Sequence, residues 1–140
     1  MRPAIALSVA ALAAATVPVA AAVIGGTYQD RASASCNSSQ SCTADFAKVT
    51  GQNPIVVNVV TCTIEGASTP PYAVELTQST SNSAKLFLPV AATGPAPTGI
   101  GYIAASTGLG YGVPVGSKPS VTVRFASSAK VKVTCGLTGE

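Results

Sequence analysis

From position 44 onward, apolar and polar residues alternate with a period of two, the mark of strands that bury one face. The pattern is cleanest near the C-terminus. Val121, Val123 and Phe125 fall on one side, Thr122 and Arg124 on the other. Val131, Val133, Cys135 and Leu137 then oppose Lys130, Lys132 and Thr134. The Ala-Ser-Ser-Ala between them, residues 126–129, predicts a hairpin turn. Residues 55–65 form the strongest strand, rich in β-branched side chains. Its first half is apolar on both faces, which predicts a central position. Weaker alternation marks residues 46–49 as a first strand. Another strand puts Tyr72, Val74 and Leu76 on one side and Ala73, Glu75 and Thr77 on the other. A third sets Ala84, Leu86, Leu88 and Val90 against Lys85, Phe87 and Pro89. Residues 51–54, 66–71, 79–83 and 93–99 are rich in Gly, Pro, Ser and Asn and predict turns or loops.

No window after the first two dozen residues keeps a helical period over three turns. Short strands at close spacing with Gly/Pro/Ser turns predict one small all-β domain over residues 44–140, a sandwich of immunoglobulin-like or jelly-roll kind. Residues 23–43 carry few bulky apolar side chains. They predict a flexible polar arm, tied down only if Cys36 is bridged.

The N-terminus has a different pattern. Arg2 precedes a run at positions 4–15 in which only Ser8 is polar, Pro18 follows, and Ala20-Ala21-Ala22 supplies small residues. That is the layout of a secretory signal peptide over residues 1–22, cleaved after Ala22. The run is mostly alanine and is interrupted by proline, which argues against a membrane anchor. No other stretch is long enough to span a bilayer. The reading places the mature chain in the periplasm, at the cell surface or in the medium, and the alanine-rich leader is of bacterial type.

Export changes how the cysteines are read. Cys36, Cys42, Cys62 and Cys135 all follow the leader, and an even count in an oxidising compartment predicts two disulfides. Four cysteines allow three pairings. The favoured one closes a short loop, Cys36–Cys42, and a long-range bridge, Cys62–Cys135. Both members of the second pair fall on the apolar side of strand-like runs, so they point into one core. Such a bridge suits two stacked sheets. Zinc is a poor alternative, because there is no Cys-x-x-Cys pair and no histidine.

Charge narrows the function classes. Without Arg2, seven basic side chains face five acids, a balance of +2. That is too weak for nucleic-acid binding. The absence of histidine removes Ser-His-Asp and Cys-His nucleophilic sites and the commonest metal ligand. Asp45, Glu65 and Glu75 are the carboxylates that glycoside hydrolysis would need, but they read as solvated surface acids. Ser127-Ser128-Ala129-Lys130 matches a Ser-x-x-Lys pattern, yet it falls in the predicted turn rather than on a helix. Asn37-Ser38-Ser39 is a formal glycosylation sequon. No enzyme, metal or cofactor is expected.

One local feature stands out. Thr98-Gly99-Ile100-Gly101-Tyr102 returns nine residues later as Thr107-Gly108-Leu109-Gly110-Tyr111. Glycine at alternate positions permits bends and close backbone approach. If the segment is a rim loop, Tyr102 and Tyr111 become flat platforms for a sugar or a peptide. Two roles follow as expectations. The first is a non-catalytic envelope or extracellular protein with a structural, adhesive or interaction role, whose partners are other envelope proteins or glycans. The alternative is a small soluble carbohydrate- or peptide-binding module built on the Gly-Tyr segment.

Overall fold

The computed structural model describes residues 22–24, 27–80, 84–96 and 99–140. Eight strands follow one another: β1 (Ala22–Ile24), β2 (Thr27–Asp45), β3 (Ile55–Ala67), β4 (Pro71–Gln78), β5 (Leu86–Phe87), β6 (Val90–Ala96), β7 (Gly99–Val113) and β8 (Pro119–Gly139). Helix is absent among the described residues, so none is long and apolar enough to cross a membrane. The predicted leader, apart from Ala22, lies outside the described residues.

The strands form one sheet in the order β1-β2-β8-β3-β7-β6, with β4 and β5 joined to β8, and the sheet curls into a half-barrel. The all-β class and both disulfides agree with the sequence. The curl follows from the two longest strands. The first part of β8 pairs with β4 (Val123 with Val74), and the last part pairs with β3 (Ile64 with Val133). Between them residues 126–128 are exposed, and burial then resumes at Ala129 on the same alternate positions. The expected hairpin at residues 126–129 is therefore a corner within a single strand. On one edge its two halves take different partners, β4 and β3, and on the other both pair with β2.

β2 bends at the same level. Its pairing with β8 shifts register on both sides of Ser39. Six extended residues would span about 20 Å, yet the Cα atoms of Cys36 and Cys42 are 5.8 Å apart, joined by the first disulfide. Ser38 takes a φ of 49° inside this loop, and the Ser39 hydroxyl donates to the Ser41 carbonyl at 2.7 Å. The stretch expected to be a flexible arm is thus strand from Thr27 onward, held to β8 along its length. Small Ala and Ser side chains hid the alternation, but Tyr28, Asp30 and Ala32 are buried and Gln29, Arg31 and Ser33 are exposed.

The second bridge joins Cys62 to Cys135 as expected, but not between layers. The two residues are direct register partners on β3 and β8, with Cα atoms 4.1 Å apart. Both are buried in the core with Ile64, Val60, Val133 and Leu137. β3 lies between β8 and β7, the central place its composition predicts.

Other expectations change in detail. Residues 46–49 are not strand. Phe46 and Val49 still reach the core, and their amides donate to the carbonyls of Pro119 and Ser117 at 3.0 and 2.9 Å. Residues 93–99 are not a free loop: β6 and β7 run through most of the stretch, pairing Gly94 with Gly101 and Ala96 with Gly99, while residues 97–98 lie outside the described set. Tyr72 does not share a face with Val74 and Leu76. A register shift between Pro71 and Ala73 turns it out, and it is 66% exposed.

Candidate functional site

Tyr102 and Tyr111 both sit on β7, not on a rim loop. Tyr102 is 8% exposed and belongs to the core, with Ala104 beside it on the inward face. Tyr111 is half-buried against the core, and its hydroxyl donates to the Ala84 carbonyl at 2.8 Å. Burial pushes its phenol above the ordinary tyrosine value. The expected pair of open ring platforms is therefore corrected: one ring fills the core and the other ties β7 to the segment before β5.

The glycines of the near-repeat act on the backbone. Between Val59 and Val57 of β3, the partner residues on β7 run from Thr107 to Tyr111, so β7 carries two extra residues there. Gly108 and Gly110 lie inside that bulge with φ of 65° and 60°. Glycine adopts this left-handed region at no steric cost.

The three candidate carboxylates occupy separate places. Glu75, expected to be solvated, is 5% exposed on β4. Its Oε2 lies 3.2 Å from Arg124 Nε and 3.7 Å from Lys85 Nζ, so the charge is covered by cations whose own side chains reach solvent. Phe87, its register partner on β5, is exposed. Asp45 accepts from Lys118 Nζ at 2.9 Å and from the Ser120 hydroxyl at 2.6 Å. Partial burial raises its pKa, but these two hydrogen bonds and the Lys118 charge outweigh that effect and leave it lowered. Glu65 lines a shallow open groove of about 400 Å³ with Ser35, Asn37, Lys130, Val131 and Lys132. Neither of the other two acids reaches that groove.

A fourth acid was not singled out from the sequence. Asp30 is 6% exposed, and its carboxylate accepts from the amides of Arg31 and Ala47, each at 2.7 Å. The Tyr28 hydroxyl donates to it at 3.4 Å. Burial, the neighbouring carboxylate charge and this hydrogen bond push the Tyr28 phenol up to about 12. Asp30 thus latches the start of β2 to the segment that follows its end. Its place at an alternate position after Tyr28 was the available signal, but the polar run around it masked the strand.

Ser127 and Ser128 are exposed at the β8 corner, and Lys130 follows on strand, so the Ser-x-x-Lys letters have no helical spacing. Asn37 is exposed in the loop closed by the first disulfide. The most extended unpaired feature is an edge. β1 covers only Thr27, Tyr28 and Gln29 of β2. Among the described residues, no strand lies against the outer edge of β2 from Asp30 onward.

Comparison with protein families, with curated proteins and with solved structures finds no match to this chain.

Proposed function

We propose that the chain is an exported, non-catalytic protein of the cell envelope or extracellular space that works by pairing with a neighbour through the β2 edge. The open edge of β2 is the observation that carries this reading. A strand edge offers the N–H and C=O groups of alternate residues to any extended segment that can align with it. The common protections are proline, charged side chains (lysine above all), bulges, inward-pointing charges and very short length. β2 has neither proline nor lysine along its 19 residues, and its inward Asp30, its Arg31 and the register shifts around Ser39 leave Ala32 to Cys36 as a regular, uncharged stretch. The other edges are blunted. β5 is two residues long, β6 carries Pro95 and a positive-φ Gly94, and β7 bulges at Gly108 and Gly110.

Export by a leader at residues 1–22 and the two disulfides belong to the same reading, since disulfides persist in oxidising compartments. So does the finer architecture. The two halves of β2 and β8 act as the two layers of a sandwich of immunoglobulin-like or jelly-roll kind, joined at the bends. The alternative, a soluble module binding sugars or peptides through Tyr102 and Tyr111, has less support because Tyr102 is a core side chain.

The test is expression of the full chain in a bacterial host, followed by unboiled gels of cell, periplasm, surface and medium fractions. High-mass species at the envelope are expected, and they should be lost when Ser33 and Ser35 on the β2 edge are both changed to lysine. A free monomer in the medium, unchanged by those substitutions, would overturn the reading.

A further inference from the structure

We propose that the outer face around Glu75 binds a saccharide, with Tyr72 and Phe87 as its stacking rings. The site goes beyond the edge-pairing reading and stands independently of it, because β8 lies between β4 and β2.

Exposure selects the two rings. The chain has four tyrosines, three phenylalanines and no tryptophan. Tyr28, Phe46, Tyr102 and Phe125 are buried, and Tyr111 is half-buried. Tyr72 and Phe87 are 66% and 63% exposed. A single exposed apolar side chain is ordinary on a protein surface. These two flank one polar cluster. On β4, Val74 and Leu76 belong to the core, so Glu75 between them lies on the outer face, and Phe87 is its register partner on β5. Tyr72 directly precedes Ala73, the register partner of Arg124. Strand rise and spacing put the Cα atoms of the two aromatic residues on the order of 10 Å apart.

The polar groups between the rings are fixed but not used up. Arg124 Nε and Lys85 Nζ both lie against Glu75 Oε2, at 3.2 and 3.7 Å. The nearly buried carboxylate thus holds two cations side by side while their own side chains reach solvent. Arg124 engages Glu75 through Nε, and no described residue accepts from its two Nη groups. Aromatic walls with a few fixed polar groups between them are the ordinary make-up of a small-ligand site.

The chemistry on offer matches a sugar. Its C–H face stacks on a ring, and its hydroxyls accept from the guanidinium and the ammonium. Glu75 cancels one of the two positive charges, so a phosphate-rich polymer gains little here. An extended peptide would need a strand edge, and β5 offers two residues. The two rings do not make one apolar patch, because the charged cluster separates them.

The experiment uses the purified chain with both disulfides formed and reads its depletion from solution by insoluble cellulose, chitin, starch and peptidoglycan. At least one of these should remove the protein, in high salt as in low, since screening acts on exposed charges and not on stacking. Tyr72→Ala and Phe87→Ala should each weaken that binding at least about five-fold, and the double variant should abolish it. Tyr72→Phe and Phe87→Tyr keep a ring and should keep binding. Both positions are exposed, so the alanine variants should unfold at nearly the wild-type temperature. Ile103→Ala removes an exposed apolar side chain on β7 and should leave binding unchanged.

No depletion by any of the four polymers would overturn the proposal. So would binding that high salt abolishes, binding unchanged in the double alanine variant, or an equal loss in Ile103→Ala. Capture by phosphatidylcholine vesicles in place of the polymers would assign the rings to a lipid surface and overturn it as well. Changing Ser33 and Ser35 to lysine on the β2 edge should leave the depletion as it is, so this site and the edge-pairing reading fail separately.

Discussion

Replacing Cys62 and Cys135 together by alanine should cost about twice as much stability as the same change at Cys36 and Cys42. The two bridges close loops of very different length, with sequence separations of 73 and 6. In the chain-entropy model the cost of opening a loop grows with the logarithm of its length. These separations then correspond to about 4.4 and about 2.2 kcal/mol at 25 °C. Packing pushes the same way. Cys62 and Cys135 are fully buried between Val and Ile side chains, so losing their sulfurs removes core contacts on the order of 1 kcal/mol. In the short bridge Cys42 is equally buried and Cys36 only half-buried, so the packing difference is smaller than the loop difference. A domain of this size has about 5–15 kcal/mol in total, so the long-range variant should lose between about a third and all of its stability. Urea unfolding followed by circular dichroism, without reductant, measures both costs. The long-range variant should also show a steeper denaturant slope, because its unfolded chain expands further. Equal costs, or a larger cost at Cys36 and Cys42, would refute the argument that the bridges act mainly on the unfolded chain.

Three further predictions test the side chains that the sequence misread. Tyr102→Ala should destabilise by about 3–5 kcal/mol, as for other large core rings, whereas Tyr111→Phe should cost about 1 kcal/mol for its hydrogen bond to Ala84; thermal unfolding separates the two, and a silent Tyr102→Ala would put that ring outside the core. Arg124→Ala should cost about 2–3 kcal/mol by leaving the Glu75 carboxylate buried with only the more distant Lys85, while Glu75→Gln should cost about 1 kcal/mol because the freed cations reach water; the reverse order in urea unfolding would contradict the burial of Glu75. Because the folded Tyr28 phenol is raised to about 12 from an ordinary value of 10.0, its contribution is complete below pH 10 and is lost as pH rises towards 12; Tyr28→Phe should flatten the stability profile in that window, and an unchanged profile would show that Tyr28 does not drive the alkaline loss.

Period-two alternation reads a strand correctly only while its register holds. From Val60 to Ile64 of β3 and along each half of β8 the pairing is regular, and there the apolar positions are the buried ones. The same regularity explains why the Cys62–Cys135 pairing was legible: both cysteines sit in uninterrupted alternation. What the pattern could not supply was their relation, since two inward positions look alike whether they belong to facing layers or to adjacent strands. β2 failed for another reason. Its inward residues after Asp30 are Ala32, Ala34 and Cys36, too small to stand out against serine.

The Gly-Tyr near-repeat shows the limit most sharply. Nine is an odd separation, so in a regular strand Tyr102 and Tyr111 would lie on opposite faces. Before the bulge the inward residues are Tyr102 and Ala104; after it they are Tyr111 and Val113. The inward set passes from even to odd positions across Gly108 and Gly110, so both rings return to the same side of the sheet. The repeat therefore encodes a switch of face. The glycines that suggested a flexible rim are the residues whose positive φ lets the strand make that switch and continue, paired with Val57 and Ile55, to its end.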